Sequence, residues 1–243
     1  LVKDLLPPGV LNVISGSEGF DELDGSVGDD TLDYSALDAD INIGNFETIT
    51  IANPDALTSG IIPFITVDGA LVQKDFGMMD VKFDAITNFE TIIGSSTGTN
   101  TIDGSLDELL SNTYNVDLSQ ELLIVNINGD DRTFNVVNFT DVIGTVNDDV
   151  IIGSDADNRF GGSLGNDFFD GGEGFDTVDY SAVKDNLTNQ VTLNAGGTID
   201  FAGPCGVIST SQLFNIEEVI GSAGSFNDLI DASTEEPNKA FID

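Results

Sequence analysis

GTVNDDVII, GSDADNRFG, GSLGNDFFD and GGEGFDTVD run end to end from Gly144 to Asp179, four nine-residue units without a gap. They begin at Gly144, Gly153, Gly162 and Gly171. Position six holds Asp149, Asn158, Asp167 and Asp176; position eight holds Ile151, Phe160, Phe169 and Val178, all apolar. Two more units lie near the N-terminus, GSEGFDELD from Gly16 and GSVGDDTLD from Gly25, with Asp21 and Asp30 at position six and Leu23 and Leu32 at position eight. Gly19, Gly28, Gly165 and Gly174 occupy position four, where the other two units carry Asn147 and Ala156.

This pattern resembles the calcium-binding nonapeptide of the RTX (repeats-in-toxin) family, G-G-x-G-x-D-x-U-x with U a large apolar residue. The Gly171 unit matches throughout, and those at Gly16, Gly25 and Gly162 differ only by Ser for the second Gly. The resemblance implies an all-β fold: a right-handed parallel β-roll or β-solenoid stabilised by calcium, with wider irregular coils between the nonapeptide blocks. A single unit of this kind also reads as an ordinary Asp-Gly turn joining strands. It is the contiguous register that favours the ion.

The chemistry of the unit agrees. Gly at positions one, two and four lets the backbone take positive φ and approach an ion closely. Such a loop presents carbonyl oxygens, and the sixth-position Asp adds a carboxylate. Calcium accepts six to eight oxygens in irregular geometry, whereas softer metals seek the thiols and imidazoles this chain nearly lacks, with one Cys and no His. The last three residues of each unit form a short strand with the apolar residue inward. Two units complete one coil, so units n and n+2 stack ~4.8 Å apart. Gly144 then pairs with Gly162 and Gly153 with Gly171. Asp149 with Asp167 is the first expected calcium site; Asp176 with Asn158 is the second and weaker one. The Gly16 and Gly25 loops fall on opposite edges, so Asp21 and Asp30 need partners from less regular neighbours.

A longer repeat surrounds the nonapeptides. It opens on TLDYSALDADINI from Thr31, NTYNVDLSQELLIVNI from Asn112 and TVDYSAVKDNLTNQVTL from Thr177. It closes on NFETITI, NFETIIGS, NFTDVIGT and NIEEVIGS, from Asn45, Asn88, Asn138 and Asn215. This alternation also resembles the longer units between RTX blocks of bacterial surface and secreted proteins. The strands are rich in Val, Ile, Thr and Phe and are punctuated by Gly, Asn and Asp. Phe46, Phe89, Phe139, Ile216 and the position-eight residues are the expected internal ladder. LDELLSN from Leu106 is the one candidate helical turn. The expected organisation is a lead-in strand over 1–15, a first RTX-like block and long repeat over 16–51, and an inserted hairpin or wide coils over 52–93. A second long repeat over 94–143, the nonapeptide roll over 144–179 and a third long repeat over 180–243 complete it. The last residues, FID, echo TID of Thr101–Asp103, so the sequence reads as a segment of a longer protein.

Forty-three acidic residues face seven basic ones, a formal charge of −36. Self-repulsion of that size loosens a compact state, and bound divalent cations relieve it; a salt-adapted surface is the alternative origin. Nucleic acid is excluded as a partner because no basic patch meets phosphate. No signal peptide or membrane-spanning run is present, so membrane insertion is not expected. Cys205 is the single cysteine and reads as an inert buried thiol or an intermolecular bridge. With no His there is no imidazole base, and neither a G-x-S-x-G elbow nor a P-loop occurs, so no enzyme activity is expected.

The RTX resemblance implies export by type I secretion and an extracellular or cell-surface location. The function expected is that of a calcium-folded structural module of a surface layer, sheath or filament, associating with itself end to end or side by side. The alternatives are an adhesin or glycan-binding stalk touching cell-surface polysaccharide, with Tyr34 and Tyr180 as candidate contacts, and a non-catalytic domain of a larger toxin or polysaccharide-active enzyme.

Overall fold

A computed structural model describes residues 11–25, 27–44, 46, 48–52, 64–68, 70–78, 80–107, 111–183, 190–194, 197–203, 206–221 and 229–230. Cys205, most of the expected lead-in strand and the terminal FID lie outside these residues, as do 53–63 of the expected insert. The chain divides into two units, Leu1–Ile102 with Thr133–Phe139, and Asp103–Arg132 with Thr140–Asp243. Both are built of β-strands.

The four contiguous nonapeptides lie in the second unit. Their last three residues form the strands Val150–Ile152, Arg159–Gly161, Phe168–Asp170 and Thr177–Asp179. Alternation across a strand puts the middle residue on the opposite face from its neighbours, and Ile151, Phe160, Phe169 and Val178 are all fully buried. Each such side chain contributes ~1.5–3 kcal/mol of burial. Successive strands alternate between two mostly parallel sheets. Ile151 pairs with Phe169, which pairs with Leu213; Val142 pairs with Phe160, then Val178, then Val219. A strand therefore finds its neighbour two nonapeptides on, and the Phe160 and Phe169 rings stack with centroids 5.9 Å apart.

In the first unit, Val13–Ser15, Thr31–Asp33 and Thr91–Ile93 pair in parallel, and residues 135–137 continue the series beside Thr91–Ile93. Asp21–Asp24 pairs in parallel with Val81–Thr87. The strands after the Gly16 and Gly25 loops thus have separate partners. Phe46, Phe89 and Phe139 are buried in this unit and Ile216 in the second.

Between the nonapeptide blocks the described residues include antiparallel pairs beside the parallel strands; over 52–93 a hairpin is one of the two expected forms. Asp40–Gly44, Ala70–Asp75 and Val81–Thr87 form an antiparallel trio, and Thr48–Ala52 pairs with Phe64–Asp68. Thr113–Asp117 turns back onto Leu122–Ile127 through a short 3-10 turn, and Gln190–Asn194, Thr198–Gly203 and Gly206–Phe214 form a meander. Where the connection is only a few residues long, as between Ala70–Asp75 and Val81–Thr87, between Thr113–Asp117 and Leu122–Ile127 and within the meander, it cannot make the crossover that parallel neighbours need, so the pairing reverses. A 3-10 turn covers Gly104–Asp107 and so meets the start of the candidate helical turn LDELLSN, whose residues 108–110 lie outside the described residues.

Three of the Asn residues that open closing pieces have a backbone reason. Asn88, Asn138 and Asn215 have φ of 55°, 65° and 51°. This is left-handed space, where Asn is among the few side chains tolerated. It re-aims the chain just before the buried Phe89, Phe139 and Ile216.

Candidate metal centre

Position six stands at the entrance to each strand, and all four of its occupants from Asp149 to Asp176 are buried. Each of the three Asp side chains reaches back to the neighbouring strand of its sheet and caps a backbone N–H there. Asp149 Oδ1 accepts from Tyr114 N at 2.6 Å, and Asp167 Oδ1 accepts from Asp149 N at 3.0 Å. The Ser211 hydroxyl then accepts from Asp167 N at 3.1 Å. On the other sheet Asp176 Oδ1 accepts from Asn158 N at 2.8 Å, and Glu217 Oε2 accepts from Asp176 N at 2.9 Å. These rungs satisfy buried amides that would otherwise cost ~1–3 kcal/mol apiece.

The second oxygen distinguishes the units, and the position-two residue decides its fate. Asp149 Oδ2 accepts from Thr145 N at 2.6 Å and from the Thr145 hydroxyl at 3.1 Å. Asp167 Oδ2 accepts from the Ser163 hydroxyl at 2.6 Å. Asn158 accepts from Ser154 N at 2.7 Å and donates to Thr140 O at 2.9 Å. In the Gly171 unit position two is Gly172, which has no hydroxyl to give. Its φ is +92°, and a Cβ there would lie 2.4 Å from Ser154 O. Asp176 Oδ2 is left buried without a hydrogen-bond partner.

The two expected sites differ in hydrogen bonding. Asp149 and Asp167 are brought together, yet protein donors occupy all their oxygens. Asp176, beside Asn158, keeps a free one. Burial pushes the Asp176 carboxyl up to about 6, against the Asn158 N–H, and the charges of Glu217, Asp157 and Asp170 add to the rise. Burial likewise raises Asp149 to about 7, with the Asp167 charge contributing, and Asp167 to about 6.

The glycines make the stacking close. A Cβ at Gly153 would meet Gly171 O at 2.0 Å, one at Gly171 would meet Asn215 O at 2.1 Å, and one at Gly165 would meet Asn147 O at 2.0 Å. Gly174, with φ +115°, lies against Ala156 O. Gly144 lies against Asp149 Oδ2, while Gly162 is covered by the buried Tyr180 ring.

In the first unit Asp30 Oδ1 accepts from Asn12 N at 2.9 Å and from Asn12 Nδ2 at 2.8 Å, while its Oδ2 is buried and unpartnered. Gly28, two residues before it, has φ +154°. Asp21 accepts from the Ser17 hydroxyl, and its N–H donates to Asp84 Oδ1 at 2.9 Å. Gly19 donates from its N–H to Ser17 Oγ at 3.1 Å.

Reading the nonapeptides alone missed several members of these ladders. Glu90 Oε2 accepts from Asp30 N at 2.7 Å, as Glu217 does from Asp176. Both occupy the third position of a closing piece, where an acid inside an apolar strand was the available signal. Asp148 and Asp157, at position five, build an outer ladder by accepting from Asn166 N and Phe175 N, each at 2.8 Å. Tyr34 and Tyr180, the aromatics named for a glycan contact, are fully buried. Among the described residues no group of three or more His, Cys, Asp or Glu side chains converges as a metal cluster, and no helix is long and apolar enough to cross a membrane. No protein-family model matches the chain, and no curated protein matches it either.

Proposed function

We propose that this chain is a secreted, calcium-binding β-roll module that folds on calcium outside the cell and assembles into a cell-surface or matrix structure. The observation that carries the reading is the unpartnered, buried Asp176 Oδ2 in the Gly171 loop, the one loop that fits the RTX nonapeptide at every position. A buried carboxylate oxygen without a donor is costly unless a cation meets it. Glu217, Asp157 and Asp170 surround it with negative charge. Asp176 would hold the ion together with backbone carbonyls of the Gly171 and Gly153 loops. That donor set is all oxygen and suits calcium. Asp30, with its own unpartnered oxygen, is a second candidate.

Calcium would supply charge neutralisation that a chain of net charge −36 otherwise lacks. Binding only the folded state, it adds its binding free energy to folding. Where calcium is scarce the folded state is only weakly favoured; where it is plentiful the stacked coils are stabilised, and their edge strands offer unpaired backbone to a second copy. The test is a calcium titration of chelated protein, followed by far-UV circular dichroism and light scattering, with magnesium as the control. The expected result is a calcium-specific gain of β-structure or thermal stability, accompanied by scattering and weakened at least tenfold in Asp176→Asn. A protein indifferent to calcium, or an Asp176→Asn variant that responds like wild type, defeats the reading.

A further inference from the structure

Lys74 is buried near the end of the strand Ala70–Asp75, with no exposed side-chain surface. Its ammonium donates to Ser17 O at 2.8 Å, Gly19 O at 2.5 Å and Asp84 Oδ1 at 2.6 Å. These are three hard oxygens for three N–H bonds. Ser17 and Gly19 are positions two and four of the Gly16 nonapeptide. Asp84 stands directly opposite Asp21 in the parallel pairing of Asp21–Asp24 with Val81–Thr87. It accepts the Asp21 N–H at 2.9 Å, as Asp167 accepts that of Asp149 and Asp176 that of Asn158. Asp84 therefore takes the part of a sixth-position acid, although no nonapeptide surrounds it. Its other oxygen accepts from the Tyr34 hydroxyl at 2.6 Å, and the Tyr34 ring lies 5.9 Å from the ammonium.

Two loop carbonyls and a carboxylate from the neighbouring coil form a seat for a cation, and here the chain fills it from within. We propose that the Lys74 ammonium is a tethered cation that replaces a free metal ion in the Gly16 loop, so that this loop closes without calcium. The antiparallel insertion delivers it: Ala70–Asp75 lies beside Val81–Thr87, which brings Lys74 next to Asp84. The consequence is a division of labour. The Gly16 loop is ordered at any calcium concentration, and a loop such as Gly171, with an unpartnered carboxylate oxygen, responds to the ion. Shortening the lysine should expose a seat that accepts a small external cation. The comparison with the Gly171 loop rests on the calcium reading above, but the Lys74 seat is tested separately from it.

The test uses the full chain and the variants Lys74→Ala and Lys74→Met. Lys74→Ala removes the atoms of one propylammonium ion; Lys74→Met keeps most of the bulk without the charge. Urea midpoints are read in chelator, then with propylammonium chloride, calcium chloride or sodium chloride at matched ionic strength. Bound calcium is counted by titration calorimetry. Lys74→Ala is expected to have a lowered midpoint that propylammonium or calcium restores and sodium does not, and to bind one more calcium ion than wild type. Lys74→Met is expected to be destabilised and to respond no more than wild type. The inference is overturned if Lys74→Ala gains neither rescue nor an ion, if both variants respond alike, or if Lys74→Ala stays unfolded at every cation concentration. The wild-type calcium count judges the Gly171 loop; the difference between Lys74→Ala and wild type judges Lys74.

Discussion

Acidifying the calcium-free protein from pH 8 to pH 5 should stabilise it, the reverse of ordinary acid denaturation. Burial, with the Asp167 charge adding to it, raises the Asp149 carboxyl from 3.8 to about 7. Its unfolded-state value is near the ordinary one, so the folded protein holds the proton more tightly than the unfolded chain does. Above pH 7 both states are ionised and the buried charge counts fully against folding. As pH falls through 7 toward 4 the folded state takes up the proton and the penalty is relieved. A displacement of about three pH units corresponds to ~4 kcal/mol, as an upper bound. Asp167, at about 6, titrates together with Asp149 rather than adding its own full amount. Against a typical stability of ~5–15 kcal/mol this is a large term. The assay is the urea midpoint in chelator at pH 5, 6, 7 and 8, for wild type and Asp149→Asn. The amide mimics the protonated acid, so the variant should lose most of its slope between pH 6 and 8. A wild-type midpoint that falls steadily from pH 8 to pH 5, or an Asp149→Asn slope as steep as wild type, refutes the reasoning.

Gly162→Ala sets a Cβ 2.4 Å from the buried Tyr180 ring and should cost ~1–3 kcal/mol, read as a lowered urea midpoint. At Asn138, with φ of 65°, replacement by Ala should cost ~1–2 kcal/mol while replacement by Gly stays near wild type, checked by the same denaturation. Phe169→Ala removes a fully buried ring stacked on Phe160 and should cost ~3–5 kcal/mol with an unchanged denaturant slope; a loss below 1 kcal/mol would place Phe169 outside the core.

Much of the strand layout is legible in the residues because the determinants are local. The nine-residue step places Ile151, Phe160, Phe169 and Val178 on one inward face, since strand alternation allows each three-residue strand a single inward position. The Asn of NFE, NFT and NIE marks the left-handed step that only a few residue types tolerate. The hairpins were harder to read. Runs such as ALVQKD and VKFDAIT carry strand composition in either direction, and the length of the connection, not the strand residues, sets the pairing.

The candidate metal centre divides along the same line. That sixth-position acids line up two nonapeptides apart follows from period alone. Which of them keeps a free oxygen does not. Thr145 and Ser163 silence Asp149 and Asp167 from four residues away, but the environment of Asp176 depends on Gly172 pressing against Ser154 and on Glu217, 41 residues on. Lys74 is a sharper case. Nothing near it in the chain marks it as a loop cation, because its oxygens come from residues 57, 55 and 10 positions away. By itself the sequence determined the repeat, the inward faces and the acids that could meet a cation. Only the tertiary structure decided which acids are already satisfied and which cation is built in, because a charge buried between coils is governed by donors that stacking supplies.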